Sequence, residues 1–215
     1  MSPFVNYRFA KDLPLPALDG CLYEYVVGMN GVFVRARRPG LAAMVPVACP
    51  NKTLNGLAIV ASGVRMDFPL IPQILLSHVL MRAWASGTVE RLFYFLPNPW
   101  RVVIPAQHAT ATSVRPDNPY SPESRLALVE LHSHHHMKPF FSTTDDQDET
   151  GFRIYSVIGN LHERPLILTR VGIYGHFWTI PSSTIYHLPM GIEDGLEIGF
   201  PDEEPTYDYG YDIVK

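Results

Sequence analysis

Proline limits the fold of this chain more than any other feature, because 20 of its 215 residues are proline. That share is nearly double the usual value of about 5%. Proline lacks an amide hydrogen, so it interrupts helices and is confined to the edges and ends of strands. Long helices are therefore expected to be scarce, and short strands joined by frequent turns are expected to be common.

The first third of the chain is predicted to form a β-rich region over residues 1–66. Apolar, β-branched runs at 22–28 and 31–37 flank Asn30-Gly31, a dipeptide typical of a tight hairpin. Residues 41–48 and 56–62 have similar composition, so both are predicted to extend this sheet.

One helix and a further set of strands are predicted downstream. The helix spans 70–86, with Pro72 in its first turn and Gly87 just past its end. Polar, proline-rich residues 108–124 indicate a loop. Predicted strands occupy the remaining apolar segments, at 88–96, 98–107, 126–134, 152–159 and 166–180. In the segment 126–134, Glu130 and His132 lie on one face by strand periodicity, and Val129 and Leu131 lie on the other.

Charge and composition exclude several classes of protein. Seventeen basic and 21 acidic residues give a net charge of −4, which does not favour nucleic acid or an anionic membrane. The sequence lacks a transmembrane-length apolar run and a recognisable secretory signal. Two cysteines, Cys21 and Cys49, make no disulfide framework, so a cytoplasmic protein is expected.

An acidic tail is predicted over residues 191–215. It holds eight of the 21 acidic residues and only Lys215 among the basic ones, with Tyr207, Tyr209 and Tyr211 interleaved. Two interpretations stay open: a solvated chain end, or an arm that docks on a basic partner or covers the protein's own site.

Four histidines within five residues mark the candidate site. His132 and His134 are two apart on a predicted strand, so their rings project from one face and can bind the same ion. Asp145 can supply a third ligand if residues 135–141 fold back. Two imidazoles and a carboxylate, with one position left for water, form a set typical of catalytic zinc.

The chain after this loop carries a helix-start signal. Ser142-Thr143-Thr144-Asp145 has the form of a capping box, although Asp replaces the usual Glu or Gln. A helix beginning here places Asp145 in its first turn, where the helix dipole favours a carboxylate.

These residues resemble the JAMM signature of the JAB/MPN metallopeptidases: His132-x-His134, ten residues, then Asp145, with Ser142 three residues before it. The resemblance implies an α/β (α+β) JAB/MPN domain over residues 67–190, with a cytidine-deaminase-like mixed β-sheet flanked by helices. It also implies Zn²⁺ as cofactor and hydrolysis of peptide or isopeptide bonds at the C-terminus of a ubiquitin-like protein. In this family, Ser142 is expected to donate a hydrogen bond to the oxyanion.

The family also uses an upstream glutamate as general base. Glu90, on a predicted strand directly after the helix, occupies that place. Glu130 is the rival base; alternatively it orients a ligand histidine or is structural. His135 stands where the family commonly has proline, and His135 and His136 are both expected to be solvent-exposed and outside the metal site.

A bacterial branch of the family, the A proteins of PRTRC cassettes, is similar around residues 31–36, 145–152 and 170–178. A deubiquitinase-like member of bacterial ubiquitination operons is a related possibility. This resemblance implies a ubiquitin-like protein substrate and a ThiF-like adenylating enzyme as partners. Two other functions stay open: a catalytically inactive JAB-like binding scaffold, and a zinc amidohydrolase acting on a small molecule.

Overall fold

Two β-sheets carry most of the α+β structure, a computed structural model that describes residues 4–196. The first sheet has five strands in sequence order, all within residues 5–66. Its strands are β1 (Val5–Phe9), β2 (Tyr23–Gly28), β3 (Gly31–Arg38), β4 (Leu41–Ala48) and β5 (Gly63–Met66). Strands β2 and β3 form the predicted hairpin, with Gly28 opposite Gly31.

The predicted strand at 56–62 is wrong. These residues form a turn followed by irregular chain, and β5 begins at Gly63 instead. The reason is that the Asn30 side chain takes the place of a partner strand. Its Nδ2 donates a hydrogen bond to the Val60 carbonyl at 2.8 Å, and its Oδ1 accepts one from the Val60 backbone amide at 2.9 Å. The apolar Val60 side chain still packs in a small cluster with Val26 and Phe33.

Helix α1 (Gln73–Trp84) precedes the second sheet. It is shorter than the predicted 70–86, because Pro72 is the extended residue before the helix and not part of its first turn; the left-handed Gly87 follows its end, as predicted. The strands of the second sheet are β6 (Leu92–Leu96), β7 (Arg101–Val103), β10 (Val129–Ser133), β11 (Phe152–Gly159), β12 (Leu166–Ile173), β13 (His176–Ile180) and β14 (Glu193–Asp194). They follow the order β13-β12-β11-β10-β6-β7, with β14 also pairing with β12.

The predicted loop at 108–124 is wrong in part, because two short strands and the start of a helix interrupt it. Strands β8 (Gln107–Ala109) and β9 (Val114–Pro116) form a short hairpin, and helix α2 (Pro122–Leu126) follows. The Gln107 side chain holds this hairpin against β6 by accepting a hydrogen bond from the Leu92 amide at 2.8 Å.

The two faces of the second sheet differ: one packs in the hydrophobic core, and the other carries the candidate site residues. Val129 and Leu131 of β10 lie on the face that joins the main hydrophobic core, whereas Glu130 and His132 lie on the opposite face, as the alternation predicted. His132 is paired with Leu92 on one side and with Val157 on the other. The histidine is therefore held at the centre of the sheet, between two fully paired neighbours.

One continuous core unites the two sheets and α1. Val34, Leu41 and Val45 of the first sheet belong to the same buried cluster as Leu76 of the helix and Ile154 of the second sheet. These side chains are essentially inaccessible to solvent. The core thus lies between the sheets, and the face bearing His132 points away from it.

Only the first residues of the predicted acidic tail, up to Leu196, lie within the described part of the chain; residues 197–215 lie outside it. Glu193 and Asp194 pair in parallel with the start of β12. Asp194 is buried and accepts a hydrogen bond from the Ser183 amide at 3.1 Å. Among the helices within residues 4–196, none is long and apolar enough to cross a membrane.

Candidate metal centre

The centre is built at the carboxyl end of β10, the middle strand of the second sheet. His132 lies within the strand, and His134 follows directly after its last residue, with the His134 amide donating to the Ile158 carbonyl at 2.8 Å. This bond continues the strand pairing for one more residue. Both rings therefore stay on the same side, and their Nε2 atoms lie 3.1 Å apart.

The loop after His134 folds back over the end of β11, as the metal hypothesis requires. The chain approaches Gly159 so closely that a Cβ atom there would lie 2.4 Å from the Met137 carbonyl oxygen and 2.7 Å from the Pro139 nitrogen. Such contacts are too short for any residue with a side chain. Glycine at this position lets residues 135–141 return towards the sheet and deliver Asp145.

Helix α3 (Thr143–Asp148) presents Asp145 from its first turn. Ser142 is the predicted N-cap: its hydroxyl accepts from the Asp145 amide at 3.1 Å, and the Asp145 side chain accepts from the Ser142 amide at 2.7 Å. The Ser142 hydroxyl also donates to Asp145 Oδ2 at 2.8 Å. These bonds occupy Oδ2, and they leave Oδ1 directed at His132 Nε2, 3.6 Å away.

The three side chains match the requirements of a zinc ion. Their ligand atoms all lie within 4.8 Å of one another. Bonds of about 2.0–2.1 Å in a tetrahedral site place neighbouring ligands about 3.3 Å apart. Two of the three separations, 3.1 and 3.6 Å, bracket that value, and the third lies within 4.8 Å. A single ion can therefore contact His132, His134 and Asp145 after an adjustment of their side chains.

Burial favours the protonation states that metal binding needs. Burial, followed by the neighbouring His132 ring, lowers the pKa of His134 to about 3, and burial also lowers the pKa of His132. Although burial opposes it, the pKa of Asp145 falls below its usual value because His132 and the Ser142 hydrogen bonds favour the carboxylate. At neutral pH the site offers two neutral imidazoles and one anion.

Glu90 lies beside this triangle of ligands. The predicted strand at 88–96 begins four residues late, because β6 starts at Leu92; the prediction that Glu90 lies on a strand is wrong, and the residue belongs to the connection from α1. Its amide donates to the Thr110 carbonyl at 2.8 Å, and its Oε1 lies 3.8 Å from His134 Nε2. Only 3% of the residue is exposed. Burial and then the Asp145 charge raise the pKa of Glu90 to about 8.

The rival glutamate, Glu130, has a different partner. Its carboxylate forms a salt bridge with Arg153 on the neighbouring strand, and Arg153 also donates to the Ser124 carbonyl of α2. Glu130 faces the same cavity as the histidines. Its ion pair nevertheless indicates a role in joining β10, β11 and α2.

Arg170 fixes α3 on the sheet, a function that sequence reasoning missed. The residue is buried on β12, and its guanidinium contacts Glu149 at 2.7 Å and Asp146 at 2.6 Å. The rings of Phe141 and Phe177 cover its two faces, with centroids 4.0 and 3.8 Å away. Asp145 precedes one of these acids, so the arginine holds the helix that delivers the carboxylate ligand. A lone arginine on an apolar strand was the available signal.

Arg170→Met is expected to lower the free energy of unfolding by about 3–5 kcal/mol, because the buried Glu149 carboxylate loses its partner. Urea unfolding followed by circular dichroism measures the change. Arg164→Met is the matched control: Arg164 pairs with Glu193 at 2.5 Å but is 70% exposed, so a loss below about 1 kcal/mol is expected. Equal losses of unfolding free energy in the two variants would contradict the role of Arg170 in holding α3 on the sheet.

The two histidines predicted to be exposed differ. His136 is exposed, and its ring stacks on that of His162 with centroids 4.1 Å apart. His135 is buried, with only 3% exposed, so that prediction is wrong. The turn into the returning loop places His135 in the left-handed region, at φ 45°, and directs its side chain inward towards the end of α1.

A cavity of about 280 Å³ opens onto the ligand triangle. Its walls come from the tip of the β8–β9 hairpin, from α3 and from the loop after β10. The lining includes Thr112, Ser113, Val114, Met137 and Phe140. The hairpin wall was hidden within a stretch predicted to be a loop, and its only signal was the pair of short alternating segments around Thr110.

Comparison of the sequence with models of known protein families finds no match, and comparison with curated proteins finds none.

Proposed function

We propose that this protein is a zinc-dependent hydrolase of the JAB/MPN type that cleaves the bond after the C-terminal tail of a ubiquitin-like protein. The observation that carries the proposal is the convergence of His132, His134 and Asp145 beside the buried Glu90. The mixed sheet, with helix α3 presenting Asp145 beside the histidine strand, supports this proposal.

The residues divide the work of hydrolysis between them. When bound, a zinc ion polarises a carbonyl group and makes water acidic enough to attack at neutral pH. Glu90 accepts the proton of the attacking water, which forms the new carbon–oxygen bond. Glu90 then returns that proton to the leaving amine as the carbon–nitrogen bond breaks. Both transfers take place beside the ligand triangle, since Glu90 Oε1 lies 3.8 Å from His134 Nε2.

In this proposal the main role of Ser142 is to position the Asp145 carboxylate for metal binding. Its single hydroxyl proton is donated to Asp145 Oδ2, which keeps Oδ1 free for the ion. Donation to the oxyanion, the role that the family resemblance implies, requires that hydroxyl to turn away from Asp145. The hydrogen bond from the Ser142 amide to Asp145 Oδ2 can hold the carboxylate while the hydroxyl turns.

The cavity walls support an extended peptide as substrate. The β8–β9 hairpin lines the cavity, and in the described part of the chain β9 pairs with β8 alone. An extended tail can therefore add beside the hairpin by main-chain hydrogen bonds, a common mode of peptide capture. We assign a ThiF-like adenylating enzyme as the partner that activates the same tail for conjugation.

Hydrolysis of a tail-extended substrate tests the proposal. A ubiquitin-like protein, fused at its C-terminus to a fluorogenic amide, is expected to be cleaved by the zinc-loaded protein and to resist cleavage after treatment with a chelator. The isolated fluorogenic amide, without the protein, is the control substrate. Cleavage of the small amide alone would indicate a small-molecule amidohydrolase, and zinc binding without any cleavage would indicate a binding scaffold.

A further inference from the structure

His135 contacts the segment that presents Glu90. Its Nε2 donates to the Val89 carbonyl, and the Ser86 hydroxyl lies 3.5 Å from the same nitrogen. The His135 carbonyl in turn accepts from the Leu161 amide at 2.7 Å. One residue thus joins the ligand loop, the end of α1 and the loop between β11 and β12.

The position of Val89 gives this contact its importance. Val89 directly precedes Glu90, and its carbonyl lies 2.9 Å from the Ser86 hydroxyl, whose single proton is shared with the Ala83 carbonyl at 2.6 Å. On the other side of the same peptide bond, the Glu90 amide donates to the Thr110 carbonyl. The peptide plane before Glu90 is consequently held from both ends, although it lies in a connection outside the regular strands.

We propose that His135 is a positioning residue that fixes the Glu90 carboxylate relative to the metal ligands. This inference rests on the proposed function for its catalytic consequence. The geometry follows from the chain itself: His135 is adjacent to the ligand His134, so its bond to Val89 sets the distance between the general base and the histidine loop. Loss of this bond frees Glu90 to move away from His134 Nε2.

The experiment compares His135→Leu with His135→Gln and with His136→Leu. Leucine and glutamine have similar size and similar cost at a left-handed position, but only glutamine offers a donor to Val89. His136 is the matched control because it is the neighbouring histidine and is exposed. Zinc content, hydrogen exchange of the Glu90 amide in the metal-free protein, and kcat and KM are measured for each variant.

In His135→Leu we expect unchanged zinc content, exchange of the Glu90 amide faster by about tenfold, and kcat lower by about 10- to 100-fold with KM nearly unchanged. Ser86→Ala, which removes the hydroxyl shared between the Val89 and Ala83 carbonyls, is expected to shift exchange in the same direction but by less. His135→Gln is expected to restore most of both losses, and His136→Leu to match the wild type.

Unchanged Glu90 exchange in a folded His135→Leu variant would overturn the proposal, as would equal losses in the leucine and glutamine variants. The exchange measurement needs no substrate. If the wild-type protein hydrolyses nothing, the proposed function fails while the positioning of Glu90 is still decided.

Discussion

Glu90→Gln is expected to leave one zinc ion per chain and to lower kcat by about 10²–10⁴-fold, the usual contribution of a general base. Glutamine preserves the size of the side chain, and Glu90 lies outside the ligand triangle, so the ion keeps its three contacts. The amide cannot accept a proton from water. Single-turnover cleavage of the tail-extended substrate, together with metal analysis, measures both quantities.

Glu130→Gln is the control that separates the two candidate bases. Glu130 faces the same cavity but pairs with Arg153. Its replacement is expected to reduce stability by weakening that ion pair, while kcat stays within about threefold of the wild type. If turnover survives in Glu90→Gln and disappears in Glu130→Gln, the general base is Glu130 and the assignment above is wrong.

His132→Ala and Asp145→Ala are each expected to reduce the zinc content from one ion per chain to below about a tenth after dialysis. Either change removes one of the three proposed protein ligands. The two that remain are expected to bind the ion too weakly to keep it through dialysis. His136→Ala is the control, because this exposed histidine stacks on His162 and has no place in the triangle. It is expected to retain full zinc.

Thermal unfolding gives a second measurement of the same site. Zinc at about 1,000 times its dissociation constant stabilises the native state by about 4 kcal/mol, so a chelator should lower the melting temperature of the wild type. The chelator should have no effect on His132→Ala. Full zinc occupancy together with an unchanged response to the chelator in both alanine variants would contradict the ligand assignment.

The sequence predicted those parts of the structure that local chemistry determines. The Asn30-Gly31 hairpin, the limits of α1 near Pro72 and Gly87, and the cap at Ser142 all depend on residues close together in the chain. The alternation that places His132 opposite the core depends only on strand periodicity. The capping signal also predicted where the helix carrying Asp145 begins, whereas its convergence with the histidines was predicted only on condition that residues 135–141 fold back.

Predictions failed where a side chain replaced a backbone partner. Asn30 satisfies the backbone of Val60, so an apolar segment stays outside the sheet. Gln107 bonds to Leu92 and anchors a hairpin within a stretch of loop-like composition. His135 is buried because a carbonyl 46 residues away in sequence accepts its proton. Hydrogen bonds between residues far apart in the chain do not change the periodicity of apolar residues, so a sequence pattern cannot predict them.

The ion pairs by which Arg170 holds α3 on the sheet were missed for a related reason. Its partners lie on a helix more than 20 residues earlier, and its aromatic neighbours come from two further segments. Composition predicts a buried strand at 166–173 but does not indicate which charge the strand carries inward. Ion pairs of this kind become visible only when the register of β11 and β12 is known.

The shared core links the stability of the first 66 residues to that of the second sheet. Val34, Leu41 and Val45 bury their side chains against the second sheet and α1, so cutting the chain at residue 66 would expose apolar surface on both fragments. We therefore expect the two sheets to unfold in one cooperative transition, and neither to be an interchangeable module that recombination could transplant alone.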